Sequence, residues 1–266
     1  MLNYARWSDR RSWGSNLFLN VFFTPSAIVS SETSTNDIYV VIDVIRATTT
    51  QAVMFDQGAA RVLVASTVEE AREAAQKIPG RLLCGERNVQ PVPGFDYGNS
   101  PVQFSQVDLT GRELIMTTTN GTRAFYACPE DSTRLAGCFY NAEAAALKAL
   151  TLAKEQGGNI SLVCAGELDY FALDDAVCAG YLALELQRLQ GQVLPLNLDE
   201  SALAAIALYE AFEPPKVIDY CNSAQSVILG GLPDDPPFCM RTSVSQSVPM
   251  VVGRENETGL LMIEAG

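Results

Sequence analysis

Asp43-Val44-Ile45-Arg46-Ala47-Thr48-Thr49-Thr50 brings one acid, one arginine and three hydroxyls together directly behind the apolar run Ile38-Tyr39-Val40-Val41-Ile42. Such a set suits a phosphate. A guanidinium fork matches phosphate oxygens, and the free amides of a helix start favour an anion. Asp43 beside it is then a candidate metal ligand or nucleophile. The segment Thr117-Thr118-Thr119-Asn120-Gly121-Thr122-Arg123 repeats the pattern behind Leu114-Ile115-Met116. Gly121 permits close backbone approach, while Thr and Asn also serve as ordinary helix caps. Glu86, Asp174 and Asp175 fall at further expected strand ends or helix starts. With Asp43 they make an oxygen-donor set of the kind Mg²⁺ takes, one or two carboxylates at a time with waters and substrate phosphate oxygens. Taken singly, Asp174 and Asp175 also complement a helix dipole, and Glu86-Arg87 also reads as a surface ion pair.

The chain has no histidine. Ser-His-Asp and Cys-His devices, HExxH zinc sites and histidine bases are therefore excluded. Acid–base work falls to carboxylates, Lys, Tyr, Cys or metal-bound water. The formal net charge of −13 and the lack of any Lys/Arg-rich run argue against nucleic acid as a partner. They also argue against long-range attraction of an anionic substrate, so an anion site must be local or use a metal. No GxxxxGK[ST] loop and no GxGxxG behind a strand is present, which disfavours a P-loop NTPase and a dehydrogenase. Cys128 and Arg134 have the Cys-x₅-Arg spacing of thiol phosphatases, but Pro129 removes an amide donor and Glu130 and Asp131 repel phosphate. The second acid of aspartyl-phosphate phosphatases is also missing, since residue 45 is Ile.

These groups must be positioned by the elements around them. At 266 residues, 48% apolar and 18% charged, the chain can bury the core of a globular enzyme. Apolar runs at 20–23, 39–44, 61–64, 81–84, 113–116, 133–135, 160–164 and 249–252 predict strands. Helices are expected to begin near Thr48, Thr67, Thr122, Asn141, Asp174, Glu200 and Ser223. Thr67 and Glu70 fit a capping box, and Asn141 is expected to cap a helix that Gly157-Gly158 closes. Repeated β-then-α order implies a mostly parallel sheet with helices on both faces, an α/β/α fold. Asp43 then lies at the carboxyl end of a strand, where open α/β sheets bind ligands. The long loop 85–101 reads as functional, whereas 231–237 reads as a plain turn. A division near residue 150, into subdomains 17–150 and 151–266 behind a tail at 1–16, is expected without a linker to mark it.

Seven scattered cysteines without CxxC suggest reduced thiols and a cytosolic protein. No run approaches the ~18 apolar residues of a membrane span. Arg6, Arg10 and Arg11 ahead of Leu17-Phe18-Leu19-Asn20-Val21-Phe22-Phe23 imitate a secretion signal. The apolar stretch is short, holds Asn20 and lacks a small-x-small cleavage site, so a first strand is expected there. Cys138-Phe139-Tyr140, or the helix over 201–212, would offer an apolar patch for a homodimer.

Several of these segments together resemble the ComB family of 2-phosphosulfolactate phosphatases. They are residues 41–50, Gly85-Glu86-Arg87, Gly94-Phe95-Asp96-Tyr97-Gly98-Asn99-Ser100-Pro101, residues 117–124, Cys164-Ala165-Gly166, and Asp174-Asp175 with Ala179-Gly180. The matches run in order over nearly the whole chain, and the ordered set is specific where no single motif is. The resemblance implies a cytoplasmic, Mg²⁺-dependent α/β/α phosphatase of two similar subdomains with the site between them. The family cleaves (R)-2-phospho-3-sulfolactate to sulfolactate and phosphate on the route to coenzyme M. Three features depart from the pattern: Asn88-Val89-Gln90 where the family usually has glycine, Asp174-Asp175 where it usually has Glu-Asp, and a loosely matching 222–232 region without histidine.

The expected chemistry is phosphomonoester hydrolysis. Asp43, Arg46 and Arg123 are the expected catalytic groups. Thr48, Thr49, Arg87, Asn99, Ser100, Thr119, Asn120, Gly121 and Thr122 are expected to bind substrate. Asp43, Glu86, Asp174 and Asp175 are expected to supply ligands to Mg²⁺. Asp43 reads equally as a nucleophile forming an aspartyl-phosphate or as a metal ligand orienting a water. The partner is a small phosphorylated sulfonate or carboxylate. The alternatives are a phosphatase of another small phosphorylated acid or sugar, and a non-catalytic anion-binding protein.

Overall fold

The computed structural model describes residues 17–28, 33–191 and 196–266; the expected tail at 1–16 lies outside them. One sheet organises the chain. Its strands, in chain order, are β1 (Phe18–Phe22), β2 (Ile38–Ile42), β3 (Arg61–Val64), β4 (Leu82–Arg87), β5 (Gln90–Pro91), β6 (Glu113–Thr117), β7 (Thr133–Gly137), β8 (Ile160–Cys164), β9 (Asn197–Leu198), β10 (Pro249–Arg254) and β11 (Leu261–Ala265). They lie side by side in the order β5-β4-β6-β3-β11-β10-β7-β2-β8-β1-β9. All eight strands read from the apolar runs are present. The two short edge strands β5 and β9, and β11, were not legible as such.

The sheet has two parallel blocks, β4-β6-β3 and β7-β2-β8-β1-β9, joined by an antiparallel hairpin of β10 and β11. Three antiparallel pairings lie between β3 and β7, so the two blocks run in opposite directions. The expected division near residue 150 does not coincide with a break in this sheet. Strand β2 from the first half lies between β7 and β8, and the hairpin from the last residues joins the two blocks.

The helices are α1 (Ala47–Asp56), α2 (Val68–Lys77), α3 (Pro101–Phe104), α4 (Gly121–Ala127), α5 (Ala142–Gln156), α6 (Leu173–Gln190), α7 (Glu200–Ala211), α8 (Asn222–Leu229) and α9 (Asp235–Cys239). They cover both faces of the sheet, making three layers. Strand β2 shows why its sequence does not alternate. Ile38, Val40 and Ile42 pack with α5 and α6 on one side, while Tyr39 and Val41 pack with α1 and α4 on the other. A strand buried on both faces reads as a continuous apolar run. Along β3 and β6, Val62, Val64, Leu114 and Met116 face one core, and Leu63 and Ile115 face α2 through Ala71 and Ala74.

The caps follow the sequence with one exception. Thr67 Oγ1 accepts the Glu70 amide, and Glu70 reaches back to the Ser66 amide. Gly157 closes α5 in the left-handed conformation at φ +64°. Asn141 does not cap α5 with its side chain. Its Oδ1 accepts the Cys138 amide and its Nδ2 donates to the Ala136 and Ser247 carbonyls, so it fastens the preceding turn to the sheet. Cys138, Phe139 and Tyr140 are buried and belong to the core, which withdraws them as a surface patch. Among the described residues no helix is long and apolar enough to cross a membrane, and all seven cysteines are free and buried.

Gly85 shows how closely the strand ends approach. Its φ is +144°, and a Cβ there would stand 2.0 Å from the Thr117 carbonyl oxygen. Gly85→Ala is expected to destabilise the protein by at least about 2 kcal/mol through overpacking and backbone strain. The check is a urea denaturation midpoint, and an unchanged midpoint contradicts the packing described.

Candidate active site

The loops that follow β2, β4, β6 and β8, with α8 opposite, enclose a cavity of about 130 Å³. Asp43, Arg46, Glu86, Asn99, Thr118, Thr119 and Asn120 line it, joined by Asn88, Val89, Glu167, Leu168, Ser223 and Ser226. Both Thr-rich segments thus reach one place, as their shared pattern suggested.

Asp43 emerges from β2 and is held from several directions. Its Oδ1 accepts the Ala47 amide at 3.0 Å, and the Gly121 amide also bonds its carboxylate. A Cβ on Gly121 would stand 2.7 Å from Asp43 Oδ2 and 2.7 Å from the Ala47 methyl, so glycine is what allows α4 to begin against the acid. Glu86 follows Gly85 at the end of β4. Its Oε1 accepts the Thr119 amide at 2.8 Å, and its Oε2 accepts the Val89 amide at 3.1 Å and the Thr119 hydroxyl. Asp174, at the start of α6, accepts the Ser223 hydroxyl at 3.1 Å. Asp175 accepts the Val44 amide on Oδ1 at 2.9 Å and the Gly166 amide on Oδ2 at 3.0 Å. Both its oxygens are thereby engaged in tying the ends of β2 and β8 together, and Asp175 is not among the residues that line the cavity.

Burial raises the three aspartates. Desolvation pushes Asp43 up to about 6, helped by the charge of Glu86 and opposed by the Ala47 amide and Arg46. Desolvation and the charge of Asp43 push Asp174 up to about 7, with the Ser223 hydroxyl opposing. Asp175 is raised well above the carboxylate range by burial and its two neighbouring acids. Among the described residues Arg46 is the one arginine or lysine lining the cavity, and it too is buried.

Several expected ligands have other duties. Thr48 and Thr49 are fully buried and donate to the main chain, at the Asp43 and Val44 carbonyls. The Thr48 hydroxyl also accepts the Asp43 amide, so these threonines shape the turn that presents the acid. Thr122 is likewise turned inward, donating to the Thr118 carbonyl. Ser100 caps α3 and donates to Asp235. Arg123 is exposed and does not line the cavity: at its place on α4 it points outward while Gly121, Thr122 and Ala124 face in. Arg87 donates to the Glu86 carbonyl and the Thr117 hydroxyl, and lines a separate cleft with Ser66, Thr67 and Glu69 beyond Thr118 and Thr119. Asn99 does face the cavity. Its Oδ1 is buried and has no hydrogen-bond partner, so an acceptor is left for a ligand. Cys128 carries no reactive thiolate, since burial pushes it up to about 12 and Arg134 is engaged by the Phe125 and Glu130 carbonyls.

Residues from two tight turns were not expected at the site. Asn88 (φ +52°) and Val89 (φ +71°) make the tip of the β4–β5 hairpin, and Leu168 (φ +49°) and Asp169 (φ +72°) make a matching tip between Glu167 and Tyr170. Positive φ at both central positions is the type I′ pattern, which normally calls for Asn or Gly. Leu168 donates its amide to Asn120 Oδ1, so the second tip is fixed on the 117–123 segment. Ser223 and Ser226 come from α8, where the sequence marked only a helix start near Ser223.

The residues fit a divalent cation that takes few protein ligands. Asp43 and Glu86 face the cavity, Asp174 stands close enough to Asp43 to be raised by its charge, and the Asn99 carbonyl oxygen lacks a donor. Among the described residues no three His, Cys, Asp or Glu side chains form a cage by themselves. Mg²⁺, which keeps waters and takes substrate oxygens, does not need one.

Comparison with known proteins adds to this geometry. A family model described as 2-phosphosulpholactate phosphatase matches residues 22–254. A probable 2-phosphosulfolactate phosphatase of Deinococcus radiodurans is 35% identical over 233 residues, 86% of this chain and 94% of that protein. Proteins of the same description from Thermus thermophilus and Parasynechococcus marenigrum are 36% and 38% identical, covering 83% and 76% of this chain and 90% and 84% of theirs.

The raised acids make stability depend on pH. A carboxyl raised in the folded state binds its proton more tightly there than in the unfolded chain, whose carboxyls titrate near 4. Its contribution is complete below that value and is lost as pH rises through the folded values of about 6 for Asp43 and 7 for Asp174. In chelator-containing buffer the protein is expected to lose stability between pH 5 and pH 8, by an amount on the order of 2 kcal/mol. Asp174→Asn should flatten that slope and raise the melting temperature at pH 8. Thermal melts across this range check both; a slope that the substitution leaves intact contradicts the assignment.

Proposed function

The chain belongs to the 2-phosphosulpholactate phosphatase family and is a phosphoric monoester hydrolase, and on that premise we propose that it hydrolyses 2-phospho-3-sulfolactate to 3-sulfolactate and phosphate with Mg²⁺ at Asp43. The observation that carries this reading is the charge of the cavity. Asp43 and Glu86 line it with a single arginine, and Asp174 lies just behind. A substrate with phosphate, carboxylate and sulfonate groups would be repelled from such a place without added positive charge. Asp43, with Glu86 and the Asn99 carbonyl oxygen near it, would hold Mg²⁺, and the bound cation would supply the positive charge and Lewis acidity that such a substrate needs.

The protein's own groups then hold and orient. The Arg46 guanidinium faces the phosphate oxygens, where charge grows in a loose transition state. The Ala47 and Gly121 amides fix the plane of the Asp43 carboxylate and leave lone pairs on both oxygens. From there Asp43 either attacks phosphorus or aligns a water for the same attack. In the first case the ester P–O bond breaks, the sulfolactate oxygen leaves and takes a proton from solvent, and water then hydrolyses the aspartyl-phosphate to phosphate and free Asp43. In the second the water displaces the same leaving group directly. The Thr119 amide and hydroxyl keep Glu86 from swinging into the space of the substrate. Arg87, across Thr118 and Thr119, is placed to receive the second anionic arm of the substrate. In this reading the reaction serves a coenzyme M-type biosynthetic step in the cytoplasm, where seven free cysteines would remain reduced.

The test is phosphate release from 2-phospho-3-sulfolactate and from a panel of phosphorylated C3 acids and sugars without a sulfonate, each with Mg²⁺ and with EDTA. Turnover that needs the metal and favours the sulfonate is expected. Equal turnover in EDTA overturns the metal, and a higher kcat/KM for a sulfonate-free substrate overturns the substrate. Trapping an acyl-phosphate separates the two roles of Asp43. Gly121→Ala, which drives a methyl group onto Asp43 Oδ2, is expected to lower kcat/KM roughly 100-fold, the scale of a 1 Å misplacement. Wild-type kinetics in that variant would remove Asp43 from the chemistry.

A further inference from the structure

Asp235 lies in the 231–237 segment that reads in sequence as a turn, 189 residues from Arg46. In the fold it begins the short helix α9 and is 1% exposed. Its Oδ2 accepts from Arg46 Nη1 at 2.9 Å, an ion pair in which each side chain is 2% exposed. Its Oδ1 accepts the Ser100 hydroxyl at 2.6 Å. Arg46 Nη2 donates to the Val89 carbonyl at 3.0 Å. A guanidinium held at both terminal nitrogens, by acceptors from two separate segments of the chain, has its plane fixed.

The structure assigns Asp235 as the positioning residue for Arg46: it holds the guanidinium beside the phosphate site and away from Asp43. The reasoning is electrostatic. Arg46 is near enough to Asp43 to pull against the raised pKa of that acid. An arginine with no fixed acceptor next to two carboxylates closes onto one of them, because a charge-assisted pair is strong where water is scarce. Closure on Asp43 would occupy the oxygens that the reaction needs. Asp235 supplies a competing carboxylate from behind. It compensates the burial of the cation while leaving the remaining N–H groups of Arg46 for a ligand. Ser100 fixes Asp235 in turn, so the loop 85–101 acts on the site through this contact. Asp235 touches no cavity space and is not itself a catalytic residue. Packing strengthens the arrangement. A Cβ on Gly230 would stand 2.6 Å from Val89 Cγ1, and Gln90 donates to the Gly230 carbonyl, so the chain just before Asp235 also seats the hairpin tip whose carbonyl takes Nη2.

This inference rests on the phosphatase reading for its kinetic test, and a binding arm keeps the two separable. The variants are Asp235→Asn, Asp235→Glu, Ser100→Ala, Arg46→Ala and the double variant Arg46→Ala/Asp235→Asn, each with its melting temperature measured. Asp235→Asn is expected to lower kcat/KM about 30-fold or more and to weaken inhibition by inorganic phosphate in parallel. Asp235→Glu should recover part of both, and Ser100→Ala should lose roughly 3- to 10-fold, less than the full worth of a charge-assisted hydrogen bond because Ser100 acts only through Asp235. In the Arg46→Ala background, Asp235→Asn should change either readout less than about two-fold, since groups acting through one another are not additive. A residue needed only for folding would lower the melting temperature and leave the double variant additive in kcat/KM; that result, or near wild-type kinetics in Asp235→Asn, overturns the assignment. If Asp235→Asn does not fold, Ser100→Ala with and without Arg46→Ala carries the same cycle. If the wild-type enzyme releases no phosphate from 2-phospho-3-sulfolactate, the substrate proposal fails alone. The cycle is then read from calorimetric binding of inorganic phosphate in the presence of Mg²⁺.

Discussion

Buried carboxylates answered by backbone amides hold the functional end of this molecule together. Asp175 takes the amides of Val44 and Gly166, Asp43 takes those of Ala47 and Gly121, and Glu86 takes those of Thr119 and Val89. Each acid therefore joins a strand end to a loop or helix start from another part of the chain. A carboxylate out of water is costly unless hydrogen bonds replace its solvation. The amides at strand ends and helix starts are equally costly to leave unmet. The two needs cancel, and the loops are drawn to one place by that cancellation.

The same concentration of acids sets the electrostatics. Asp43, Glu86, Asp174 and Asp175 lie close enough for three of them to be raised by burial and by one another. Against them the cavity wall sets Arg46 alone, and Asp235 already meets that charge. A site of this kind is poorly suited to an anion and well suited to a cation that brings the anion with it. The overall charge of −13 points the same way. Under the proposed function, attraction of substrate is a local matter of metal and arginine, since the outer field opposes it.

Strain is gathered at the cavity mouth. Val89 is β-branched and Leu168 is bulky, yet both are left-handed, and both line the site. Such conformations cost on the order of 1–3 kcal/mol each and persist only where surrounding contacts fix them. Here those contacts are themselves parts of the site: Val89 gives its amide to Glu86 and its carbonyl to Arg46, and Leu168 gives its amide to Asn120. The departure from glycine at 88–90 thus places Asn88 and Val89 on the cavity wall.

What the amino-acid sequence determined by itself was the local part. A β-branched run buried on both faces made β2 legible, and the hydroxyls after it marked a helix start, so Asp43 was placed correctly at a strand end. The repeated pattern at 117–123 was legible for the same reason, and the absence of histidine restricted the chemistry to carboxylates and metal. Which way a side chain points after such a start was not legible. Thr48, Thr49 and Thr122 have the residue types of a phosphate cradle, but their hydroxyls turn to nearby carbonyls. Arg123 follows Gly121 at a helical step that carries it to solvent. Strand β11 was not expected, although Leu260-Leu261-Met262-Ile263 is an apolar run; pairing with β10 and β3 defines it. Asp235 is the clearest case. Its segment read as a plain turn, whereas it begins α9, and its partner lies 189 residues away. Hydrogen bonds within a few residues are set by local periodicity and capping. An ion pair across the sheet depends on which loops the packed core brings together, and only the tertiary structure decides that.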